Sequence, residues 1–203
     1  MTSLAGFDPF WTRHAVFGSI GVGNGQQWSH QVEGEVKWAH QSVGRKRGHV
    51  HAAEALECLG GNGYVEESRM PRLFRESPLA SIWEGSGNVA ALDTLRAVAK
   101  QPETLDALFD EFDAAAGADA GFDRFVAGVK AKFAHPETVA FRARSVRDLA
   151  LALQSTLLIK HGHPAVADAF TASRLDREWG TVFGTLSPGI DTAAILDRST
   201  PTV

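Results

Sequence analysis

Helical spacing of apolar residues recurs along most of the chain. From about His49 to Leu59 the positions Ala52, Ala55, Leu56 and Leu59 share one face, and Gly60 just past the last turn predicts the stop. A short helix over Pro71 to Phe74 is opened by its proline. Ser86 is a suitable N-cap for the next helix, whose predicted apolar face is Val89, Leu92, Leu95 and Val98, until Gln101-Pro102 breaks it. Leu105, Leu108, Phe109 and Phe112 then mark an acidic amphipathic helix, and Ala114 to Gly121 reads as a small-residue linker. Phe122, Phe125, Val126, Val129 and Phe133 predict a helix that stops at His135-Pro136. A long helix from Glu137 to Ile159 presents Phe141, Val146, Leu149, Leu153, Leu157 and Leu158 and ends at His161-Gly162-His163-Pro164. Ala165 to Trp179 gives a last helix, and the Pro/Gly/Thr-rich stretch from Thr185 onward is expected to be loose. Together these periods predict an all-α fold, an antiparallel helical bundle with a smaller helical C-terminal extension.

The first residues break this picture. Met1 to Arg47 is rich in Gly, Trp, His and Gln, and no helical or alternating period runs through it for long. Its Gly18-Ser-Ile-Gly21-Val-Gly23-Asn-Gly25 run fails as a dinucleotide loop, because Gln26 stands where the third glycine should be and no strand leads into it. A flexible loop is the reading that remains. The chain therefore divides into an atypical segment 1–47, helices carrying two glycine motifs over 48–101, a helical extension over 102–185 and a tail over 186–203.

Composition narrows the function classes. With 203 residues, 44% hydrophobic and 22% charged, the chain can bury a real core in one domain or two small ones. A net charge of −4 gives no general attraction to nucleic acid or anionic membrane. The single cysteine, Cys58, excludes an intramolecular disulfide and is expected to be a core thiol. No apolar run approaches the roughly 18 residues that span a bilayer, and the N-terminus lacks a secretory pattern, so a soluble cytoplasmic protein is expected. Arg45-Lys46-Arg47 with His40, His49 and His51 nearby reads as a solvated basic patch, and no metal is assigned.

Most of the candidate chemistry lies between Leu56 and Asn88. Two glycine clusters, Gly60-Gly61-Asn62-Gly63 and Gly85-Ser86-Gly87, stand where helical patterns stop or start, and glycine there permits positive φ and close approach to bare backbone. Glu84 follows Ile82 and Trp83 just before a helix. A carboxylate held against an aromatic loses water, and its pKa rises toward the range useful for moving protons. By itself Glu84 reads equally as a helix-start carboxylate favoured by the dipole, and the Gly60 turn as an ordinary helix C-cap. Arg69, Arg72 and Arg75 are expected to pair at the surface with Glu66, Glu67 and Glu76.

Three ordered motifs, E-C-L-G-G-N-G-Y, R-L-F-R-E-S-P-L and I-W-E-G-S-G-N, resemble the C-terminal helical domain of the acyl-CoA dehydrogenase family of flavoenzymes, most closely its adaptive-response, AidB-like branch. The resemblance covers roughly Ala52 to Leu196. It implies α,β-dehydrogenation of an acyl-CoA thioester with FAD as hydride acceptor and Glu84 as the base. By position it assigns the FAD contacts to Glu57, Cys58, Leu59, Gly60, Gly61, Ser86, Gly87 and Asn88, and the thioester contact to Gly85. Glu57 departs from the glutamine common in the family, and its charge would repel a pyrophosphate unless a cation intervenes. The resemblance also implies a homo-oligomer, or a complementing chain that supplies the family's N-terminal and middle domains, which are not seen here; the isolated chain is expected to be inactive. The AidB-like branch adds DNA binding as an alternative, for which Arg142, Arg144 and Arg147 form the only dense basic cluster of an otherwise acidic extension. A non-catalytic helical oligomerisation module is the third reading.

Overall fold

The computed structural model describes residues 47–82, 87–135, 143–175 and 183–200. Every regular element among them is a helix. We number these α1 (47–57), α2 (Gly61–Tyr64), α3 (Met70–Glu76), α4 (Gly87–Lys100), α5 (Pro102–Asp113), α6 (Ala120–Phe133), α7 (Ala143–His161), α8 (Pro164–Arg174) and α9 (Thr192–Ser199). Short 3₁₀ turns at Glu66–Ser68 and Ser77–Ser81 flank α3. The all-α class predicted from the periodicity is the observed one.

Helix α7 is the axis of the packing. Each residue from Asp148 to Leu153 is buried, so no side of the helix is left to solvent there. Neighbours α4, α5, α6 and α8 surround it. Phe112, Phe122, Val129 and Leu151, each no more than 1% exposed, fill the space between α5, α6 and α7. On the α4 side the packing is by small residues: Ala91 and Ala150 meet around Val146. Their short side chains let the two backbones come close.

Local chemistry sets the helix ends. Pro102 and Pro164 occupy first-turn positions, where a missing N–H costs nothing. Asp119 caps α6 by accepting from the Phe122 N–H at 2.7 Å, and Asp191 caps α9 by accepting from the Ala194 N–H at 2.9 Å. Asp123 closes the preceding turn by accepting from the Gly117 N–H, where φ is +82°. Between helices, the buried Asp148 carboxylate has both oxygens served, by Lys132 Nζ at 2.6 Å and by Arg147 Nη2 at 2.9 Å. A carboxylate so placed is tolerated because its charge is fully hydrogen-bonded. Lys160 ties the end of α7 to Glu111 of α5 at 2.6 Å.

Four expectations need correction. Thr185 onward is not uniformly loose: α9 forms there with Asp191 accepting from the first-turn amide of Ala194, and it packs on α8. Cys58 is exposed rather than a core thiol, since the helix has ended and the turn at 58–60 carries it outward. Val89 is 50% exposed; Leu95 and Val98 of the expected face do pack against the core, and the fully buried positions of α4 are Ala90, Ala91 and Thr94, where small residues pack closely on α7. The presumed linker Ala114 to Gly121 already contains the start of α6, which Asp119 nucleates one residue earlier. Phe141 and Trp179 lie outside the described residues.

The N-terminal end of α1 meets the far end of the chain. Arg47 is part-buried, and its guanidinium is pushed below the usual arginine range by burial and by the nearby charges of Arg174 and Arg147. The His51 ring lies 6.5 Å from the Phe183 ring, tilted by 43°.

Replacing Phe112 by Ala is expected to cost about 3–5 kcal/mol, because a fully enclosed ring leaves a cavity that helices on several sides cannot all collapse into. Urea denaturation followed by circular dichroism checks this. The same assay should separate two glycines: Gly63→Ala, where an added Cβ would drive into the Leu56 carbonyl, is expected to destabilise by roughly 1–3 kcal/mol. Gly61→Ala, with open space around it, should be neutral or stabilising by up to about 1 kcal/mol.

Candidate functional site

The glycine turn is built by the end of α1. After residue 57 the last carbonyls are taken up by tightening turns: the Cys58 N–H donates to Glu54 O, the Leu59 N–H to Leu56 O and the Gly60 N–H to Glu57 O. Gly60 then adopts φ 56° and ψ −138°, a conformation essentially closed to residues with a Cβ. The Gly63 N–H closes the next turn on Gly60 O at 2.9 Å, starting α2.

The glycines of G-G-N-G have different reasons to be glycine. Gly60 is required by its backbone angles and Gly63 by its approach to the Leu56 carbonyl. Gly61 is constrained by neither, since its φ is not positive and an added Cβ would meet nothing within 4 Å. The fold does not require glycine at 61, and the space above it is open to a ligand.

Of the predicted site residues, Glu57, Cys58, Leu59, Gly60 and Gly61 come together as one contiguous exposed rim. Leu59 is 49% exposed although its spacing predicted a core position. Gly87 and Asn88 form the first turn of α4, and Asn88 is exposed. Glu84, Gly85 and Ser86 lie outside the described residues, as does Trp83. Ile82, two residues before Glu84, is 67% exposed. Among the described residues no three His, Cys, Asp or Glu side chains gather as a metal site, and no helix is long and apolar enough to cross a membrane.

Between the two glycine motifs, α3 and its flanking turns carry an unusual amount of apolar surface. Tyr64 is 81% exposed, and Val65, Leu73, Phe74 and Leu79 are exposed with it. Pairing across this segment follows the expected surface pattern: Arg72 Nε meets Glu76 at 2.8 Å, and Arg75 grips Glu66 through both guanidinium nitrogens at 2.9 and 3.1 Å. Two features escaped the sequence reading. One is the left-handed φ of 64° at Arg69, which carries no glycine or asparagine signal; the other is the packing demand on Gly63, whose partner is backbone rather than side chain.

Comparison with known proteins agrees with the motifs. Residues 43–99 match the family model described as acyl-CoA dehydrogenase, C-terminal domain. The putative acyl-CoA dehydrogenase AidB of Escherichia coli (strain K12) is 41% identical over 135 residues, covering 66% of this chain and 25% of AidB. Acyl-CoA dehydrogenase family member 11 of Caenorhabditis elegans is 48% identical over 44 residues, 22% of this chain and 7% of that protein. The chain thus spans about a quarter of the length of AidB. The motifs, the all-helical fold and these matches agree in likening the chain, most directly over residues 43–99, to the C-terminal domain of the acyl-CoA dehydrogenase family.

Proposed function

We propose that this chain is the cofactor-contacting C-terminal portion of an acyl-CoA dehydrogenase-type flavoprotein that introduces a double bond between the α and β carbons of an acyl-CoA thioester. The observation that carries the reading is the exposed turn Glu57–Gly61, in which Gly61 leaves bare backbone open to a ligand without any internal need to be glycine. FAD fits such a turn: its pyrophosphate can lie against peptide groups that no side chain covers. Glu57 then requires a cation beside it, since its own charge opposes the phosphates. Gly87 and Asn88, at the N-terminal end of α4, whose first amides have no partner within the helix itself, form the second half of the contact, together with Ser86.

In this reading Glu84 removes the α-proton of the thioester, and Gly85 lies against the thioester carbonyl. The bound flavin supplies the hydride-accepting chemistry for the β-hydrogen. Glu84 must be shielded from water for its pKa to reach the working range. The chain spans a quarter of AidB, so turnover is assigned to an assembly that holds the remaining domains, either a homo-oligomer of a longer protein or a complementing chain. The apolar surface around Tyr64, Leu73 and Phe74 suits burial in such an assembly.

Titration of FAD with the full 203-residue chain, followed by quenching of flavin fluorescence, tests the cofactor site. Gly61→Leu is expected to weaken binding at least about tenfold while leaving the melting temperature unchanged, because its side chain would enter the ligand's space and no other. Equal affinity for both proteins would remove the turn from the site. In a complemented complex that turns over an acyl-CoA, Glu84→Gln is expected to lower kcat by roughly 10²–10⁴-fold, the range for loss of a general base. Unaltered turnover would take Glu84 out of that role.

A further inference from the structure

We propose that Arg75 is a positioning residue: by gripping Glu66 it fastens α3 to the 3₁₀ turn that follows the glycine motif, so that residues 60–76 hold the Glu57–Gly61 rim in one fixed attitude toward its ligand. The ligand half of this statement rests on the function proposed above.

The chain leaves α2 at Val65 and reverses before α3 starts at Met70. Ser68 staples the reversal from inside. Its hydroxyl donates to the Val65 carbonyl at 2.9 Å and accepts from the Met70 N–H at 3.2 Å. The reversal is completed by Arg69 at φ 64°, where a residue with a Cβ is strained. A strained turn relaxes unless its two sides are held together. The Glu66–Arg75 pair supplies that restraint from the far end of α3.

The geometry of the pair suits restraint. Nη1 of Arg75 donates to Oε1 of Glu66 at 2.9 Å and Nη2 to Oε2 at 3.1 Å, a fork on a carboxylate that fixes orientation as well as distance. Arg72 is engaged with Glu76 and does not compete for Glu66. Both partners are exposed, at 60% and 68%, so water screens their attraction and the pair adds little to global stability. Its effect is on local geometry. The hydrogen bond from Arg75 holds the Glu66 carboxyl below the usual carboxylate range and raises Arg75 above its own. A carboxylate with a depressed folded-state pKa contributes above its unfolded value and loses the contribution as pH falls through the folded one. The clamp therefore stays closed at neutral pH and opens only in acid.

Four variants of the full chain test the clamp: Arg75→Gln, Arg75→Lys, Glu66→Gln and the exchanged pair Arg75→Glu with Glu66→Arg. Hydrogen–deuterium exchange at neutral pH should show amides 60–68 exchanging several-fold faster in the three single variants, with α5 to α7 unchanged and protection regained in the exchanged pair. FAD affinity, read by flavin quenching, should fall and recover in the same order. Unchanged exchange at 60–68 in Arg75→Gln and Glu66→Gln would overturn the clamp. Faster exchange with unaltered FAD affinity would overturn its link to the ligand. A wild-type chain that binds no FAD would remove the cofactor site itself, and the exchange measurement would still decide whether the clamp exists.

Discussion

The enclosure of α7 is the constraint on which the rest of the molecule depends. A helix with no solvent-facing side over Asp148 to Leu153 can exist only if other helices cover it all round, and α4, α5, α6 and α8 do so. Its buried carboxylate, Asp148, is held by cations reaching in from α6 and from its own preceding residue, so the ring of helices closes around a charge that is served. The hydrophobic core is concentrated here, in helices that the sequence reading assigned to an extension.

That concentration leaves the segment 56–82 with a different character. Among its residues whose burial is described only Gly63 and Pro71 are buried, while Tyr64, Leu73, Phe74, Leu79 and Ile82 face outward. Local hydrogen bonds and ion pairs hold its shape: the Ser68 staple, the Arg75–Glu66 fork and the turn closed on Gly60. A segment organised by short-range bonds, with its apolar side chains unspent, is suited to completing a site with surfaces from elsewhere. The α4 helix links the two regimes, with one face on α7 and its first turn carrying Gly87 and Asn88.

Helix identities were legible because their signals are local. Pro102 and Pro164 announced starts, Gly60 a stop, and the phenylalanine spacings the core faces of α5 and α6. The turn residues Glu57 to Gly61 were legible as a motif, and the fold keeps them contiguous and exposed. What could not be read was anything set by a tertiary neighbour. Val89 and Ala90 differ in hydrophobicity in the direction opposite to their burial, because close helix approach selects small side chains. Cys58 and Leu59 look like core residues by type, yet the helix ends before them and the chain turns outward. The helix α9 was hidden by its Pro/Gly/Thr-rich surroundings, although Asp191 three residues ahead of Ala194 was a capping signal. Arg69 had none, since its left-handed backbone is imposed by the reversal into α3.

The meeting of His51 with Phe183 joins stretches from opposite ends of the described chain, while the like charges of Arg147 and Arg174 oppose Arg47 nearby. Contacts of that kind form only after a long loop has been closed, so they belong to the late, entropically expensive part of folding. During synthesis α1 and the glycine turn can pack at once on α2, α3 and the turn at Ser77, whereas the ring that meets His51 is made only near the end of the described chain. The motif-bearing segment therefore takes its shape early, and its seat is completed by residues made long after it.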